Sequence, residues 1–277
     1  MIDAVKRTIH RIAPRPLVNF LWNAASDTKD LPVRLRDPRP RPWRIVHNIG
    51  GGDFYGAGER LFQQVRGAAG LTPSDHVLDI GCGAGRLAFP VCAYLDETGA
   101  YTGFDIVRSG LTFARRVAVG RCAIRFVHAD LTNREYGQVG ADAAGYRFPV
   151  DDASIDLAVA TSLFTHVEPG VAAAYLKEAG RALKPGGRIF LTAFIVDEAA
   201  KAALAEGRPR LSLQPYGEAA WAADPRHPER AIGFDAASFE HWCGQAGLAP
   251  VRTLEPGDWR EPGPRGKFQD VVVLERL

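Results

Sequence analysis

Asp79, Gly81, Gly83, Gly85, Asp105 and His166 are residues whose types and spacing point to chemistry in this 277-residue chain. Three glycines at alternate positions follow an acid in the run Asp79-Ile80-Gly81-Cys82-Gly83-Ala84-Gly85-Arg86. Glycine lets the backbone take a positive φ and lets a ligand approach with no Cβ in the way. Asp105 stands 24 positions after Gly81, near the roughly 20-residue offset at which nucleotide-binding α/β folds hold a carboxylate for ribose hydroxyls. An ionised carboxylate suits that task, having two acceptor oxygens and no donor. His166, with an ordinary pKa near 6.5, can hold a proton transiently at neutral pH and so serve as a general base. Blander roles stay open. The glycines could form a tight strand-to-helix turn with no ligand, Asp105 could cap the helical run that starts at Val107, and His166 could orient its own turn or merely touch a cofactor.

These residues need elements to hold them. His76 to Ile80 read as a short buried strand, set off by the turn residues Pro73-Ser74-Asp75. Leu87, Ala88, Val91, Cys92 and Leu95 recur at helical spacing, so the glycines occupy a strand-to-helix turn whose helix end offers free N–H donors. Residues 101–105 read as a second strand and 123–129 as a third, followed by Asp130 and Leu131. The apolar run 157–162 has the character of a strand buried on both faces. A helix over 175–183 stops at Lys184-Pro185-Gly186-Gly187, and 188–194 is a fifth strand. A helix is expected over 234–246, then strands over 250–254 and 268–274 joined by the Pro/Gly-rich turn 255–266. Residues 133–150 read as an irregular insertion whose Tyr136 and Tyr146 could line an entrance; His128, just before it, is expected to pack. Residues 207–233 lack periodicity, and an unpatterned loop of that length suggests a cap over an acceptor pocket.

A dinucleotide fingerprint needs its third glycine five residues after the first, where this chain has Arg86. The observed G-x-G-x-G after Asp79 resembles motif I of the class I S-adenosylmethionine-dependent methyltransferases. The sequence Phe148-Pro149-Val150-Asp151-Asp152-Ala153-Ser154-Ile155-Asp156 and the Lys184-Pro185-Gly186-Gly187 stop resemble further signatures of that family. The likeness covers roughly residues 70–277. It implies an α/β fold: a doubly wound, mostly parallel seven-stranded sheet with an antiparallel C-terminal hairpin, plus an N-terminal extension. It implies S-adenosylmethionine as cofactor, bound through Asp79, Gly81, Cys82, Gly83, Gly85, Asp105, Ile106, Asp130, Leu131, Thr161 and Phe164. It also implies a histidine base at His166, just beyond the fourth strand. Asp151 and Asp152 lie before that strand, away from the crevice, and no metal site is expected. The activity implied is methyl transfer to oxygen or nitrogen of a small or medium acceptor, with sugar- or lipid-linked molecules included. The rival readings are a nicotinamide-dependent oxidoreductase and a non-catalytic cofactor-binding protein.

Composition bounds the remaining classes. The net charge of +2 gives no global argument for nucleic acid, the sequence has no N-P-P-Y or D-P-P-Y, and no regularly spaced aromatics occur in the basic stretch. No apolar run is long enough to span a membrane, and residues 1–13 carry charges where a signal peptide is apolar. Four scattered cysteines, Cys82, Cys92, Cys122 and Cys243, form no C-x-x-C, so a reducing cytoplasm is expected. Residues 1–47 differ from the rest, with ten Lys or Arg against four Asp, a local charge of +6. They form an N-terminal extension with an apolar cluster (Leu17, Val18, Phe20, Leu21, Trp22) and an extended Pro/Arg strap, because proline bars helix over 36–42. Either the cluster packs on the main domain with the arginines solvated, or the strap docks to lipid headgroups or an acidic saccharide. The main domain spans 48–277. It opens with the glycine-dense 48–58, whose Phe54 and Tyr55 either cover the site as a lid or anchor the core.

Overall fold

The computed structural model describes residues 15–44, 53–251, 254–261 and 267–277, without the side chains of 15–20 and Trp22. The expectations placed on residues 1–14, on 48–52, on the side chains of Leu17, Val18, Phe20 and Trp22, and on 252–253 and 262–266 lie outside the described residues. Strands are numbered in chain order. The main sheet comprises β1 (His76–Ile80), β2 (Ala100–Asp105), β3 (Ala123–His128), β4 (Ile155–Ala160), β5 (Leu183–Ala193), β10 (Leu248–Pro250) and β11 (Asp270–Arg276), in the order β10-β11-β5-β4-β1-β2-β3. The first five pair in parallel, and β11 runs antiparallel to both β5 and β10. This is the doubly wound sheet with an antiparallel edge that the sequence implied. β1 sits between β2 and β4, so the chain reverses its winding there and opens a crevice beyond the strands' carboxyl ends.

Helices cover the sheet because its strands are apolar on both sides. Successive side chains on a strand point to opposite faces. Leu78, Ile80, Ala158, Ala160, Ile189 and Leu191 accordingly share one face with Tyr175, Leu176 and Ala179 of the helix Pro169–Ala182 and with Phe239 and Cys243 of Ala236–Gln245. Val77, Leu157, Val159 and Phe190 take the other face with Phe62 and Val65 of Phe54–Ala69 and with Val91 and Cys92 of Ala88–Tyr94.

Several local readings change. Residues 207–233 are not an unpatterned loop. They carry most of a second sheet of β6 (Ile195–Val196), β7 (Gln214–Tyr216), β8 (Ala220–Ala222) and β9 (Ile232–Asp235), ordered β6-β9-β8-β7. Its strands of two to four residues are too short for alternation to show. Phe234 and Asp235 therefore belong to β9, and the expected helix begins only at Ala236. Lys184-Pro185-Gly186-Gly187 ends the preceding helix but lies within β5, where the pairing with β4 shifts register between Ile155 and Leu157. The penultimate strand is Leu248–Pro250, earlier than expected, and beyond it the backbone meets that of β11 only through the Val251 N–H and an isolated bridge at Glu255 among the described residues. Asp105 is not a helix cap residue, because the next helix (Arg108–Val117) is capped by the extended Val107.

Several of the strap's arginines are paired internally, while Arg36 and Arg39 stay exposed. A helix Arg15–Lys29 and a turn of helix Leu31–Arg36 lead into the strap. Arg44 pairs with Asp27 and Asp30, and Arg41 with Asp37 and Asp53, leaving their side chains only 7% and 9% exposed. Arg34 donates to the carbonyls of Arg41 and Pro42 and lies over the Trp43 ring at 3.9 Å. Tyr55 donates to the carbonyl of Pro40, and Arg39 covers its ring at 4.1 Å. The strap is thus bound to the start of the helix Phe54–Ala69, whose Phe54 and Tyr55 are both buried. Beside Lys29, Arg36 and Arg39, this segment exposes the apolar Leu21, Leu31, Val33, Leu35 and Trp43.

One buried carboxylate joins the two sheets. Asp270, wholly buried at the start of β11, accepts from the backbone N–H of Ile195 and Gly257, from Trp259 Nε1 and from Arg260. Arg260 reaches on to Asp197 and the carbonyl of Ile195. Removing one member of such a network strands its partners in a dry site. Asp270→Ala is therefore expected to lower unfolding free energy by about 3–5 kcal/mol, read from the urea midpoint; a midpoint matching that of the unaltered protein would contradict the role given to Asp270.

Candidate active site

A cavity of about 680 Å³ opens beyond the carboxyl ends of β1, β2 and β4, within the range of roughly 300–1,000 Å³ usual for small-molecule sites. The glycine turn forms its floor. Gly83 has φ +54°, and a Cβ built on it meets no protein atom within 4 Å, so any side chain there would project into space the cavity uses. Gly85 does a different job. With φ +81°, its missing side chain lets the helix Arg108–Val117 approach so closely that a Cβ would lie 2.9 Å from that of Ala114.

Asp105 pins this turn. Its Oδ2 accepts from the Gly83 N–H at 2.8 Å and its Oδ1 from the Val107 N–H at 2.7 Å. Burial pushes its pKa up, against the lowering effect of these N–H groups. Each carboxylate oxygen has two lone-pair sites, so the carboxylate keeps acceptor capacity toward the cavity it lines. Asp79, 2% exposed, accepts from the phenol of the wholly buried Tyr101. Burial pushes its pKa to about 7, opposed by that hydrogen bond and reinforced by the nearby Asp105.

His166 lies in a short 3-10 turn, Phe164–His166, beyond β4. Its Nδ1 is 2.8 Å from the backbone carbonyl of Glu229, in the small second sheet's connecting turn. A carbonyl only accepts, so Nδ1 carries the hydrogen and the neutral ring keeps its lone pair on Nε2. Tyr136 presents its ring edge-on to the imidazole, with centroids 6.1 Å apart, and burial raises its pKa to about 12. Asn133 donates to the His166 carbonyl at 3.2 Å.

A polar wall faces this cavity from strands distant in sequence. Ser162 takes φ +55°, a strained conformation for a residue with a side chain. Its N–H donates to Thr192 Oγ1 at 2.8 Å, and its hydroxyl to Gln269 Oε1 at 3.2 Å. Thr192 also donates to Gln269 Oε1 at 2.6 Å.

Of the residues singled out from the sequence, Asp79, Gly81, Cys82, Gly83, Asp105, Ile106, Leu131, Thr161 and His166 all line the cavity. Gly85, Asp130 and Phe164 are not brought there. Gly85 is packed against Ala114, Asp130 is exposed, and Phe164 is wholly buried in the core. Tyr136 lines the cavity, whereas Tyr146 packs against Phe104 and Phe148. His128 hydrogen-bonds the Ile106 carbonyl at 3.1 Å. Asp152 pairs with Arg147 and Arg181. Sequence reasoning missed Gln64, Thr192, Gln269 and Glu229. Helical spacing could have found the first, since Phe54, Ala57, Leu61 and Gln64 form one face of the covering helix and all line the cavity.

Comparison with known proteins places this geometry. A family model described as a methyltransferase domain matches residues 77–187. A tRNA N(3)-cytidine methyltransferase of Gallus gallus is 28% identical over 143 residues, 49% of this chain and 34% of that protein. A 27-O-demethylrifamycin SV methyltransferase of Amycolatopsis mediterranei is 30% identical over 137 residues, 50% of this chain and 45% of that one. The chain thus spans less than half the length of either relative. In fold, it superposes on an S-adenosylmethionine-dependent methyltransferase from Mesorhizobium loti with TM-score 0.52 at 16% identity, covering 81% of this chain and all of that one. Residues 77–187 thus match a methyltransferase domain, the sheet has the fold of the class I, Rossmann-like methyltransferases, and the methyl donor is S-adenosylmethionine.

Proposed function

We propose that the protein transfers a methyl group from S-adenosylmethionine to oxygen, or to nitrogen, of a small or medium acceptor, with His166 taking the acceptor's proton. The observation that carries this reading is the imidazole at the cavity wall, with Nδ1 committed to the Glu229 carbonyl and Nε2 left as a proton acceptor.

The residues present fit the cofactor. Gly83 leaves open the space a side chain would fill. Asp105 keeps lone pairs for ribose hydroxyls, Ile106 and Leu131 offer apolar surface for a base, and Asp79 and Thr161 complete the same wall. When bound, the cofactor supplies a methyl group already activated on a sulfonium. The protein's task is then alignment, through proximity and orientation, and removal of a proton when the acceptor is a hydroxyl or a protonated amine. The polar wall of Ser162, Thr192 and Gln269 gives an acceptor hydrogen-bonding partners. The relative that acts on 27-O-demethylrifamycin SV supports a hydroxyl of a small molecule.

Other readings fit less well. The antiparallel β11 beside β5 departs from the all-parallel order of nicotinamide-binding sheets. The tRNA-methylating relative keeps nucleic acid as a second reading, but the internal pairing of Arg34, Arg41 and Arg44 reduces the basic surface the strap offers it. The same pairing reduces the strap's support for lipid-linked or anionic saccharide acceptors to the exposed Arg36 and Arg39. No helix among the described residues is long and apolar enough to cross a membrane. All four cysteines are buried and free, which fits a reducing compartment such as the cytoplasm.

Two outcomes test this reading. His166→Ala should lower kcat by about 100-fold or more, measured as S-adenosylhomocysteine release with whichever hydroxylated small molecule in a panel gives turnover. Its affinity for S-adenosylhomocysteine by calorimetry should stay unchanged; equal loss of both, or of neither, removes His166 from the mechanism. The second concerns Asp79. Its folded pKa of about 7 lies above the ordinary carboxylate value, so between about pH 4 and 7 the folded state binds the extra proton. Stability from this group is complete below that window and is lost as pH rises through it, at up to about 1.4 kcal/mol per pH unit. Urea unfolding of the ligand-free protein across pH 4–8 should therefore show a downward slope that Asp79→Asn flattens; parallel curves for the two proteins would contradict a protonated Asp79.

A further inference from the structure

We infer that Glu229, outside the cavity, is a positioning residue that sets the tautomer and orientation of His166. Two bonds in opposite directions make the case. The backbone carbonyl of Glu229 accepts from His166 Nδ1 at 2.8 Å. Its carboxylate turns the other way, with Oε2 accepting from the backbone N–H groups of Arg134 at 2.7 Å and Glu135 at 3.1 Å. Those N–H groups belong to the loop that also carries Asn133 and Tyr136. Asn133 donates to the His166 carbonyl and accepts from the Tyr136 N–H at 3.1 Å, while the Tyr136 ring meets the imidazole edge-on.

The result is a closed ring of contacts around one imidazole. The small second sheet grips the histidine by a carbonyl, and the same residue grips by its carboxylate the loop that packs on the histidine's other side. Arg230, next in sequence, adds a 2.7 Å pair with Asp224 and a longer one, 3.7 Å, to Glu135. Glu229 itself is absent from the cavity wall, so it acts through His166 and not on a substrate. Without its carboxylate, the loop and the turn Pro228–Arg230 lose their tie, and the carbonyl loses its fixed aim at Nδ1. An imidazole free of that acceptor has no reason to keep the hydrogen on Nδ1, and its basic nitrogen no longer points consistently into the cavity.

This inference rests on the proposed base role of His166 for its kinetic consequence, but not for its structural one. The test therefore reads both. Imidazole 15N shifts, with His166 assigned by a His166→Gln spectrum, should show the Nδ1–H form dominant in the unaltered protein. In Glu229→Ala the Nε2–H form should rise to on the order of half, and kcat should fall about tenfold or more with KM for S-adenosylmethionine unchanged. Glu229→Gln, which keeps an acceptor oxygen, should restore the original tautomer and most of the rate. Glu229→Asp, which withdraws the oxygens by one methylene, should behave like the alanine variant. An unchanged tautomer ratio in both Glu229→Ala and Glu229→Asp, or equal shifts in Glu229→Ala and Glu229→Gln, would overturn the role of Glu229. A tautomer shift without a change in kcat would support the clamp and count instead against His166 as the base.

Discussion

The carboxylate of Asp105 bridges two backbone N–H groups, Gly83 at the floor of the cavity and Val107 at the start of the next helix. A glycine turn is entropically expensive to hold in one shape, since glycine has the most conformational freedom to lose. Here the loss is offset by hydrogen bonds to a charged acceptor, the stronger kind, made where surrounding protein excludes much of the water. The sheet order is what makes the bridge possible. β1 and β2 lie side by side in parallel, with Asp79 opposite Gly103 and Ile80 opposite Phe104, so the ends of both strands arrive at one place. The core exists to hold that register, with apolar side chains alternating to the two faces.

Around this fixed floor, the rest of the cavity is assembled from segments that come from both ends of the chain. The helix Phe54–Ala69 covers one side and is itself held by the strap, through Arg41 on Asp53 and Tyr55 on Pro40. The second sheet approaches the opposite side, anchored to the main one by Asp270 and reaching His166 through Glu229. Part of the charge pattern that looked like an anion-binding tail is spent internally: aspartates at 27, 30, 37 and 53 pair with Arg34, Arg39, Arg41 and Arg44, and for the buried ones such pairing offsets desolvation. Part of a basic composition therefore became an internal fastening.

The parts of the fold that were legible in the sequence are those whose signal is local. Val77, Leu78 and Ile80 beside three glycines state a buried strand and a tight turn without help from elsewhere, and β1 came out at His76–Ile80 as read. Asp105 was legible because the distance from Gly81 is set by one helix and one strand. The second sheet was not, because strands of two to four residues gain their stability from pairing partners and not from their own pattern. Gln269 and Thr192 were invisible for a related reason: they meet Ser162 only after β4, β5 and β11 are laid side by side. Asp130 was legible only through the family pattern. Its position after β3 fitted that pattern, yet its side chain is exposed and only its backbone carbonyl is engaged, by Ala141.

The most direct measurement is a calorimetric titration of S-adenosylhomocysteine into the unaltered protein and into Asp105→Ala. Saturable one-to-one uptake is expected, weakened about 10- to 100-fold in the variant, because hydrogen bonds to a charged acceptor are worth roughly 1.5–3 kcal/mol. No uptake by the unaltered protein, or equal affinity in the two, would contradict the assignment of this cavity and of the carboxylate at its floor.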